Sequence, residues 1–366
     1  MPKLTALYHI AADAESIASR ARALAVEQSV EMPVDAIASQ SIRDDIIGTV
    51  EDIEDLGGGV FAVRIGLNAV TTGNEPGQIM NMLFGNASIL NDVTLVDTEL
   101  PPEMVSALAG PTAGIAGLRA RARARHRALT CSALKPQGLS PAALGRLAAA
   151  MAEGGLDFIK DDHGLADQRY SPLAARIAAV AAAVRATGAG TTYIPSLTGT
   201  LDDIRRGVAL AHDNGLTMIM IAPMISGVAT LSAIARDNPD MAIMTHPALA
   251  GAARITPGLL IGKLFRLFGG DAQVFPNHGG RFGYSRAECR TLAANSRVPV
   301  PGKRDAMPVP AGGMTLDRVD EILDFYGPDT MLLIGGNLLQ AGDRLAAEAR
   351  RLQDRVAAHR HDRAAS

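Results

Sequence analysis

The chain has 366 residues, of which 48% are hydrophobic and 20% are charged, so it can bury one or two cores and is not a disordered protein. Its 35 basic and 38 acidic residues give a net charge of -3, and aromatic residues make up only 4%. Neither charge nor stacking side chains therefore favour nucleic acid or an acidic membrane as a partner. The two cysteines, Cys131 and Cys289, are far apart in sequence, which excludes a disulfide scaffold and suits a reducing compartment.

The opening residues contain no apolar run of signal-peptide length, which predicts a cytoplasmic protein. The longest uncharged run, 214–235, is long enough to span a bilayer, but Pro223 and Gly227 interrupt its apolar pattern. We interpret this run as a buried strand followed by a loop, so no membrane partner is expected.

Residues 1–125 predict a small ferredoxin-like α+β domain. Alternating apolar patterns indicate strands at 5–11, 60–67 and 93–96. Patterns of helical period indicate helices at 14–26 and 75–84.

The boundary of this domain is expected within 110–127, where the sequence GPTAG gives way to a basic stretch. The stretch has an arginine at every second position: Arg119, Arg121, Arg123, Arg125 and Arg127. Such a pattern can bind nucleic acid, but no aromatic residues are interleaved with it. A solvated linker or an edge strand is the favoured interpretation.

Residues 126–366 repeat a rhythm of a short apolar run, a polar or glycine-rich loop, and a helical stretch. The predicted strands are 128–133, 156–160, 191–195, 216–222, 241–246, 272–276, 306–310 and 331–334. Helical patterns cover 140–153, 172–186, 201–214, 315–326 and 338–359. Eight such units in about 230 residues predict a (β/α)8 TIM barrel. An open doubly wound sheet is the alternative, although no G-x-G-x-x-G follows the first strand.

Reactive groups of such a barrel lie at the carboxyl ends of its strands, so the residues after each apolar run are the candidates. The first, second, fifth and sixth runs are followed by Lys135, by Lys160, Asp162 and His163, by His246, and by Asn277, His278 and Arg281. Lys135 follows a buried strand, where a lysine can act in proton transfer. Lys160, Asp162 and His163 can bind a divalent cation if the lysine acquires an anionic group. The alternative is that Lys160 only pairs with Asp161 or Asp162.

Glycine pairs follow the seventh and eighth strands, at Gly312, Gly313, Gly335 and Gly336. Backbone N–H groups in these two loops often bind a phosphate in barrels of this kind. A phosphorylated substrate is therefore expected, and tight turns without a ligand are the alternative interpretation.

These motifs together resemble the large-subunit superfamily of ribulose-bisphosphate carboxylase (RuBisCO), and in particular its RuBisCO-like (form IV) branch. The segment LKPQGLS (134–140) resembles the family segment that carries the proton-transfer lysine. The segment GGLDFIKDDH (154–163) resembles the signature that contains the carbamylated lysine and the acidic Mg²⁺ ligands. GPTAGI (110–115) and PAGG (310–313) also fit, so the resemblance extends over nearly the whole chain.

The resemblance implies that CO₂ carbamylates Lys160, and that this carbamate and Asp162 hold Mg²⁺. The family usually has a glutamate where His163 stands, so His163 is either a third ligand or an acid or base. Asn86 and Glu27 match residues that complete a neighbouring subunit's site. A homodimer, or a larger assembly of dimers, is therefore implied.

Departures from the family pattern bear on the reaction. The loop 277–282 has no lysine, Pro247 replaces a phosphate-binding arginine, and Gln137 and Ala311 replace a lysine and a serine of carboxylating members. CO₂ fixation is therefore not expected. One phosphate is expected at the glycine pairs, and Arg281 or His278 can meet a smaller carboxylate or hydroxyl group.

The favoured function is a Mg²⁺-dependent enzyme that passes through an enediolate of a phosphorylated, ketose-like substrate. Its expected reaction is that of a carboxy-lyase, a decarboxylase or transcarboxylase of a branched β-keto acid phosphate such as 3-oxo-isoapionate 4-phosphate. His163 and the polar loop at 277–281 favour this substrate, because a thioether would prefer apolar walls. The alternatives are an isomerase or enolase of 5-methylthioribulose 1-phosphate, as in methionine salvage, and a non-catalytic sugar-phosphate sensor.

Overall fold

The computed structural model of the protein describes residues 2–359, and the end of the predicted barrel domain, 360–366, lies outside the described residues. The chain forms two compact units. Among the described residues, one consists of 2–109 and 249–260, and the other consists of 110–248 and 261–359.

The first unit contains a four-stranded antiparallel sheet covered by helices. Its elements in chain order are β1 (Lys3–Ala11), α1 (Ile17–Glu27), α2 (Gln40–Asp45), β2 (Thr49–Asp55), β3 (Val60–Asn68), α3 (Pro76–Phe84), β4 (Val93–Glu99) and α4 (Pro102–Ala107), with 3-10 turns at Val34–Ala36, Ala69–Thr72 and Asn86–Ile89. The strand order is β2-β3-β1-β4. This order and the βαββαβ succession confirm the predicted ferredoxin-like domain. The sequence analysis did not predict β2 or α2.

Local sequence explains the central elements of this unit. β1 alternates buried and less buried residues along its whole length, so one face of the strand lies in the core. α3 begins with Pro76 at its first position and with the Glu75 carboxylate accepting the N–H of Gln78. The Tyr8 hydroxyl of β1 donates to the carbonyl of Leu83 in α3 at 2.6 Å, which fixes the helix on the sheet.

The second unit is a barrel of eight parallel strands, as predicted. The strands are β5 (Leu129–Leu134), β6 (Phe158–Asp161), β7 (Thr192–Ile194), β8 (Met218–Ile221), β9 (Ala242–Thr245), β10 (Ala272–Pro276), β11 (Met307–Ala311) and β12 (Met331–Leu333). The helices are α5 (Gly114–Arg121), α6 (Pro141–Glu153), α7 (Leu173–Ala186), α8 (Leu201–Asp213), α9 (Pro223–Ser226), α10 (Val228–Asp237), α11 (Phe265–Leu267), α12 (Arg286–Arg297), α13 (Val319–Tyr326), α14 (Gly336–Leu339) and α15 (Leu345–Ala358). A π-helix, Gly258–Leu264, precedes α11.

Alternate residues of the strands fill the barrel with side chains. The interior cluster includes Leu129, Cys131, Phe158, Ile194, Met218, Met220, Ala242, Met244, Ala272, Val274, Met307, Val309, Met331 and Leu333. Because strand side chains alternate between two faces, residues two positions beyond these also point toward the barrel axis, at its carboxyl end. This alternation decides which candidate side chains point toward the barrel axis and can meet there.

Two hydrogen-bonded sheets of four strands make up the barrel, in the orders β12-β5-β6-β7 and β11-β10-β9-β8. They join between β7 and β8, where Met220 N–H donates to Pro195 O at 2.8 Å and Leu197 N–H donates to Met220 O at 2.9 Å. β11 lies beside β12, but Pro308 and Pro310 lack the N–H groups that β11 would direct toward that neighbour.

The unit boundary at 109/110 differs from the predicted boundary at 125/126. Ala113 and Leu118 belong to the barrel's interior cluster. The buried Asp271 carboxylate accepts the N–H groups of Ala113 at 2.6 Å and Gly114 at 2.7 Å, which holds the start of α5 at the amino end of β10. The segment before β5 is therefore part of the barrel unit.

The arginine run is not an edge strand, and only its middle is a solvated linker, because Arg123 and Arg125 are exposed in the turns between α5 and β5. Arg119 and Arg121 lie in α5, and Arg119 donates to Asp329 Oδ1 at 2.6 and 3.0 Å. Arg127 forms a two-pronged ion pair with Asp157, with both N–O distances at 2.7 Å. Such paired contacts to carboxylates explain these two arginines without a nucleic-acid ligand.

The uncharged run 214–235 contains the predicted strand, here β8, but α9 and most of α10 replace the predicted loop. Pro223 begins α9, and Gly227, with a φ of 93°, separates the two helices. Among the described residues, no helix is both long and apolar enough to cross a bilayer.

Candidate active site

Lys135, Asp162 and His163 meet at the carboxyl end of the barrel, as their sequence positions predict. Asp162 is 5% exposed and makes an ion pair through Oδ2 with the Lys135 ammonium. Its Oδ1 lies 2.8 Å from His163 Nδ1. Burial raises the pKa of Asp162, but hydrogen bonds from His163 and Lys135 and the Lys135 charge outweigh burial and hold that pKa below its usual range. Asp162 is therefore an anion held between two donors.

Lys160 occupies the interior face of β6 and is 3% exposed. Its Nζ donates to the backbone carbonyl of Asp161 at 2.9 Å, and not to a carboxylate. Burial, together with the charge of Lys135, lowers the pKa of Lys160, although Cys131 and Asp162 act in the opposite direction. Burial thus favours the neutral amine, which is the form that reacts with CO₂.

Asp161 has a different role from its neighbour Asp162. Its side chain points away from the barrel axis and accepts Arg176 Nε at 3.0 Å and the Tyr193 hydroxyl at 2.8 Å. Asp161 and Arg176 are both fully buried. Asp161 is therefore a structural partner of α7 and β7, and the alternative that Lys160 pairs with its carboxylate does not hold.

His246 follows β9, two residues beyond the interior residue Met244. Its ring stacks on that of His163, with centroids 4.2 Å apart and an angle of 8° between the planes. Its Nδ1 accepts the N–H of Ala248 at 3.2 Å. Burial, with the charges of Lys160 and His163, lowers the pKa of His246 to about 2, so the ring is neutral and carries its proton on Nε2. His246 is thus a hydrogen-bond donor beside His163.

The donor set fits a hard cation only if Lys160 is modified. Among residues 2–359, no three His, Cys, Asp or Glu side chains are grouped in a way that could hold a metal ion. Asp162 supplies one carboxylate, and His163, which uses Nδ1 toward Asp162, has Nε2 left as a nitrogen ligand. A carbamate on Lys160 would add the oxygen ligands that Mg²⁺ prefers. A cation at Asp162 would also have to replace Lys135 at Oδ2.

The four predicted phosphate-binding glycines have unused amides. Within the described residues, the N–H groups of Gly312, Gly313, Gly335 and Gly336 donate no hydrogen bond. Gly312 and Gly313 have φ values of 83° and 99°, so their turn requires glycine for its conformation. Gly336 has no such requirement, because a Cβ added there would meet no atom within 4 Å. The turn interpretation therefore explains only one of the two pairs.

The loop after β10 places two of the predicted site residues against α13. Asn277 is fully buried and its Oδ1 accepts the Tyr326 hydroxyl at 2.7 Å. His278 is 4% exposed and packs edge-to-face on Phe325, with ring centroids 4.6 Å apart. Both side chains therefore contact α13 and not the other candidate residues, so these contacts do not support the expectation that they bind substrate, which stays a prediction. For Asn277 the reason is the alternation along β10, because Val274 points inward and an odd-numbered neighbour lies on the opposite face. His278 lies in the turn that follows β10, where this alternation no longer applies.

The remainder of that loop lies over the first glycine pair. The Arg281 side chain is exposed, and the backbone N–H of Arg281 donates to Gly312 O at 3.0 Å. The Phe282 ring is 58% exposed and lies so near Gly312 that a Cβ there would be 3.0 Å from two of its atoms. The loop thus presents an aromatic ring and a guanidinium group, 5.1 Å apart, to solvent.

Glu27 and Asn86 meet in the first unit. The Asn86 side-chain amide donates to Glu27 Oε1 at 2.8 Å and also to Glu31 Oε1 at 2.9 Å. Two carboxylate acceptors use both protons of Nδ2, so Oδ1 is the free end of the amide. Glu27 and Asn86 also line a cavity of about 190 Å³.

Sequence reasoning missed Ser196 and Glu31. Ser196 directly follows the third predicted strand, so the rule that selected the other candidates could have found it. Glu31 carries no such signal, because only the folded chain brings it to Asn86, 55 positions away.

Comparisons with known proteins agree with this fold and site. A family model described as ribulose bisphosphate carboxylase large chain, catalytic domain, matches residues 114–285. The barrel with its strand-end lysines thus defines a member of the RuBisCO large-chain superfamily.

Two relatives and one solved structure place the chain more closely within this superfamily. Ribulose bisphosphate carboxylase-like protein 1 of Rhodopseudomonas palustris is 51% identical over 361 residues, which is 98% of each chain. The 5-methylthioribulose-1-phosphate isomerase of Rhodospirillum rubrum is 53% identical over 351 residues, or 94% of each chain. The crystal structure of a Rubisco-like protein from Rhodopseudomonas palustris matches with a TM-score of 0.92 at 51% identity, covering 100% of this chain and 99% of that chain. The chain belongs to the RuBisCO-like proteins.

Proposed function

We propose that this protein is an isomerase of 5-methylthioribulose 1-phosphate or of a closely similar methylthio-ketose phosphate. The observation that carries the proposal is the 53% identity, over 94% of both chains, to the Rhodospirillum rubrum protein that bears this name. This was the alternative in the sequence analysis, and it now ranks above decarboxylation of a β-keto acid phosphate.

The loop after β10 supports isomerisation over decarboxylation. Decarboxylation was favoured because Asn277, His278 and Arg281 were expected to form a polar pocket for a carboxylate. Two of these three side chains pack against α13 instead, and the loop exposes the Phe282 ring. An exposed aromatic ring is a better neighbour for a thioether than for a carboxylate.

An isomerase of this class moves a proton between two carbon atoms of the ketose. Lys135 is suited to transfer it, because its side chain lies at the barrel mouth beside Asp162 and is 39% exposed. The neutral His246 ring, which stacks on His163 at the same edge of the barrel, can donate its Nε2 proton in a hydrogen bond to a substrate oxygen. These roles need no CO₂ as a substrate.

Lys160 as its carbamate and Asp162 would hold Mg²⁺, with His163 Nε2 as the third ligand. When bound, Mg²⁺ supplies electrostatic stabilisation of the negative charge that develops on the substrate oxygen. The unused N–H groups of Gly312, Gly313, Gly335 and Gly336 would bind the phosphate. Pro247 offers no charge for a second phosphate, which suits a monophosphate.

The proposal includes a homodimer in which the first unit of one subunit completes the partner's site. Asn86 supports this role, because its amide is held by two carboxylates and its Oδ1 is left free. A free amide oxygen can accept a hydroxyl of the partner's substrate.

A side-by-side assay tests the reaction. Purified protein with Mg²⁺ and bicarbonate should convert 5-methylthioribulose 1-phosphate into an isomer, followed by ³¹P NMR. It should release no CO₂ from 3-oxo-isoapionate 4-phosphate and fix no labelled CO₂ on ribulose bisphosphate. In D₂O the isomer should carry deuterium on carbon if the transferred proton exchanges with solvent. CO₂ release without isomerisation would restore the decarboxylase, and ligand binding without turnover after removal of Mg²⁺ and bicarbonate would indicate a sensor.

Glu31 provides a matched pair of variants. Glu31→Ala removes one acceptor from Asn86 and should lower kcat/KM by about tenfold, because a hydrogen bond to a charged group is lost. Glu31→Gln keeps a carbonyl acceptor and should stay within about threefold of the wild type. Both variants place a non-glycine residue at the same φ of 52°, so backbone strain is matched. Equal activities for the two variants would contradict a positioning role for Glu31.

A further inference from the structure

Ser196 lies at the barrel mouth with its side chain toward the axis. It follows β7 two residues after the interior residue Ile194. A parallel bridge between Ser196 and Met220 shows that the chain is still extended at this position. Side chains two residues apart in an extended chain share a face. The Ser196 hydroxyl therefore faces the same space as Asp162 and His246.

The backbone of Ser196 is held by the Asp161 side chain of the neighbouring strand β6. Its N–H donates to Asp161 Oδ2 at 3.1 Å, and Asp161 is held in turn by the buried Arg176 and Tyr193. The register that pairs Lys160 with Ile194 places Ser196 next to Asp162 on the neighbouring strand, about 5 Å away between backbones. Ser196 is thus rigidly placed beside a proposed ligand of the cation.

The hydroxyl itself is unused. Ser196 is only 5% exposed, yet within the described residues its Oγ has no hydrogen-bond partner. By contrast, the buried Ser132 donates to Ile334 O at 2.8 Å and the buried Ser296 donates to Leu292 O at 3.0 Å. The Ser196 Oγ is also not among the fully enclosed polar atoms that lack a partner, so its small exposed area includes the hydroxyl. A hydroxyl that is mostly buried and unpaired costs free energy unless a ligand pairs with it.

The strand order indicates which part of a substrate Ser196 can reach. The glycine pairs follow β11 and β12, whereas β7 is four strands from β11 around the ring of eight. A phosphate at the glycines therefore leaves Ser196 to the carbon chain that extends across the mouth. This placement excludes the phosphate itself as the partner of Ser196.

We propose that Ser196 is a substrate-binding residue, and that its hydroxyl forms a hydrogen bond with a hydroxyl on the carbon chain of the sugar phosphate. The inference rests on the proposed function for the location of the phosphate and adds a residue that selects a hydroxylated chain. 5-Methylthioribulose 1-phosphate has two such hydroxyls, on C3 and C4. A site that pairs with a substrate hydroxyl discriminates strongly against an analogue without it.

The test measures the affinities of wild type, Ser196→Ala and Ser196→Cys for the substrate and for its 3-deoxy and 4-deoxy analogues by calorimetry, and kcat/KM for the substrate. The affinity of Ser196→Ala for the substrate should be about 10- to 100-fold lower than that of the wild type. It should lose less than about threefold on the analogue that lacks the paired hydroxyl. Ser196→Cys preserves the shape of the side chain but forms a weaker hydrogen bond. Its affinity for the substrate should lie between those of the wild type and Ser196→Ala. Ser296→Ala, which removes a hydroxyl used within α12, should leave all affinities unchanged.

Equal affinities of wild type and Ser196→Ala for the substrate, or an equal loss on all three ligands, would overturn the inference. The proposed function fails separately, if the wild type itself neither binds nor converts 5-methylthioribulose 1-phosphate. The same comparison would then use 3-oxo-isoapionate 4-phosphate, and an unchanged affinity of Ser196→Ala for that ligand would reject the role of Ser196. If Ser196→Ala does not fold, the ratio of the affinities of the wild type and Ser196→Cys for each ligand decides in the same way.

Discussion

Replacing Lys160 with alanine is expected to lower turnover by about a thousandfold or more, because the proposed carbamate on Lys160 would supply the oxygen ligands that hold Mg²⁺ next to Asp162. The fold should survive. Lys160 Nζ makes a hydrogen bond to one backbone carbonyl, and burial already disfavours its charged form. Removing this amine therefore takes a costly group out of the barrel and leaves the ion pair of Asp161 with Arg176 intact.

The measurement has two parts. Initial rates of isomerisation are compared with thermal unfolding curves, and ¹³C NMR with labelled bicarbonate records the carbamate directly. The wild type should show a carbamate signal that Lys160→Ala lacks. Lys303→Ala is the control, because Lys303 precedes β11 at the amino end of the barrel and should change neither the signal nor the rate. A folded Lys160→Ala variant with wild-type turnover would reject the carbamate.

The barrel could be predicted because each strand is a short apolar run with its own loop and helix. All eight predicted runs overlap the observed strands, with ends that differ by at most two residues. Lys135, Asp162, His163 and His246 come together because the carboxyl ends of parallel strands meet at one edge. This part of the site followed from sequence position alone.

The errors have identifiable physical causes. The alternation within β10 makes Val274 face inward and so directs Asn277 toward α13, a signal that was present in the sequence and not used. The same alternation would have selected Ser196. The domain boundary was hidden because the arginines of 119–127 look solvated, although Arg119 and Arg127 bind carboxylates that lie far along the chain. Pairings between distant residues of this kind need the folded structure.

The second large effect concerns Asn86 and Lys135, which lie in different units. Asn86→Ala and Lys135→Ala should each lose about 100-fold or more in turnover, because one loses a contact to substrate and the other loses the proton-transfer group. A mixture of the two should regain activity if the proposed composite site exists. In a mixed dimer, the subunit with Lys135 receives an intact Asn86 from its partner, and the opposite site has neither residue.

Random exchange makes half of the dimers mixed, so about a quarter of all sites should be intact and about a quarter of wild-type activity should return. Native mass spectrometry must show the mixed dimer before rates are compared. The matched control mixes Asn86→Ala with Glu27→Ala, two changes within the same unit. Every composite site in that mixed dimer receives one altered residue, so no activity should return. Recovery in the first mixture and not in the second can arise only if the first unit of one subunit serves the barrel of the other, whereas confirmed exchange without recovery would mean that each chain uses its own Asn86 or none.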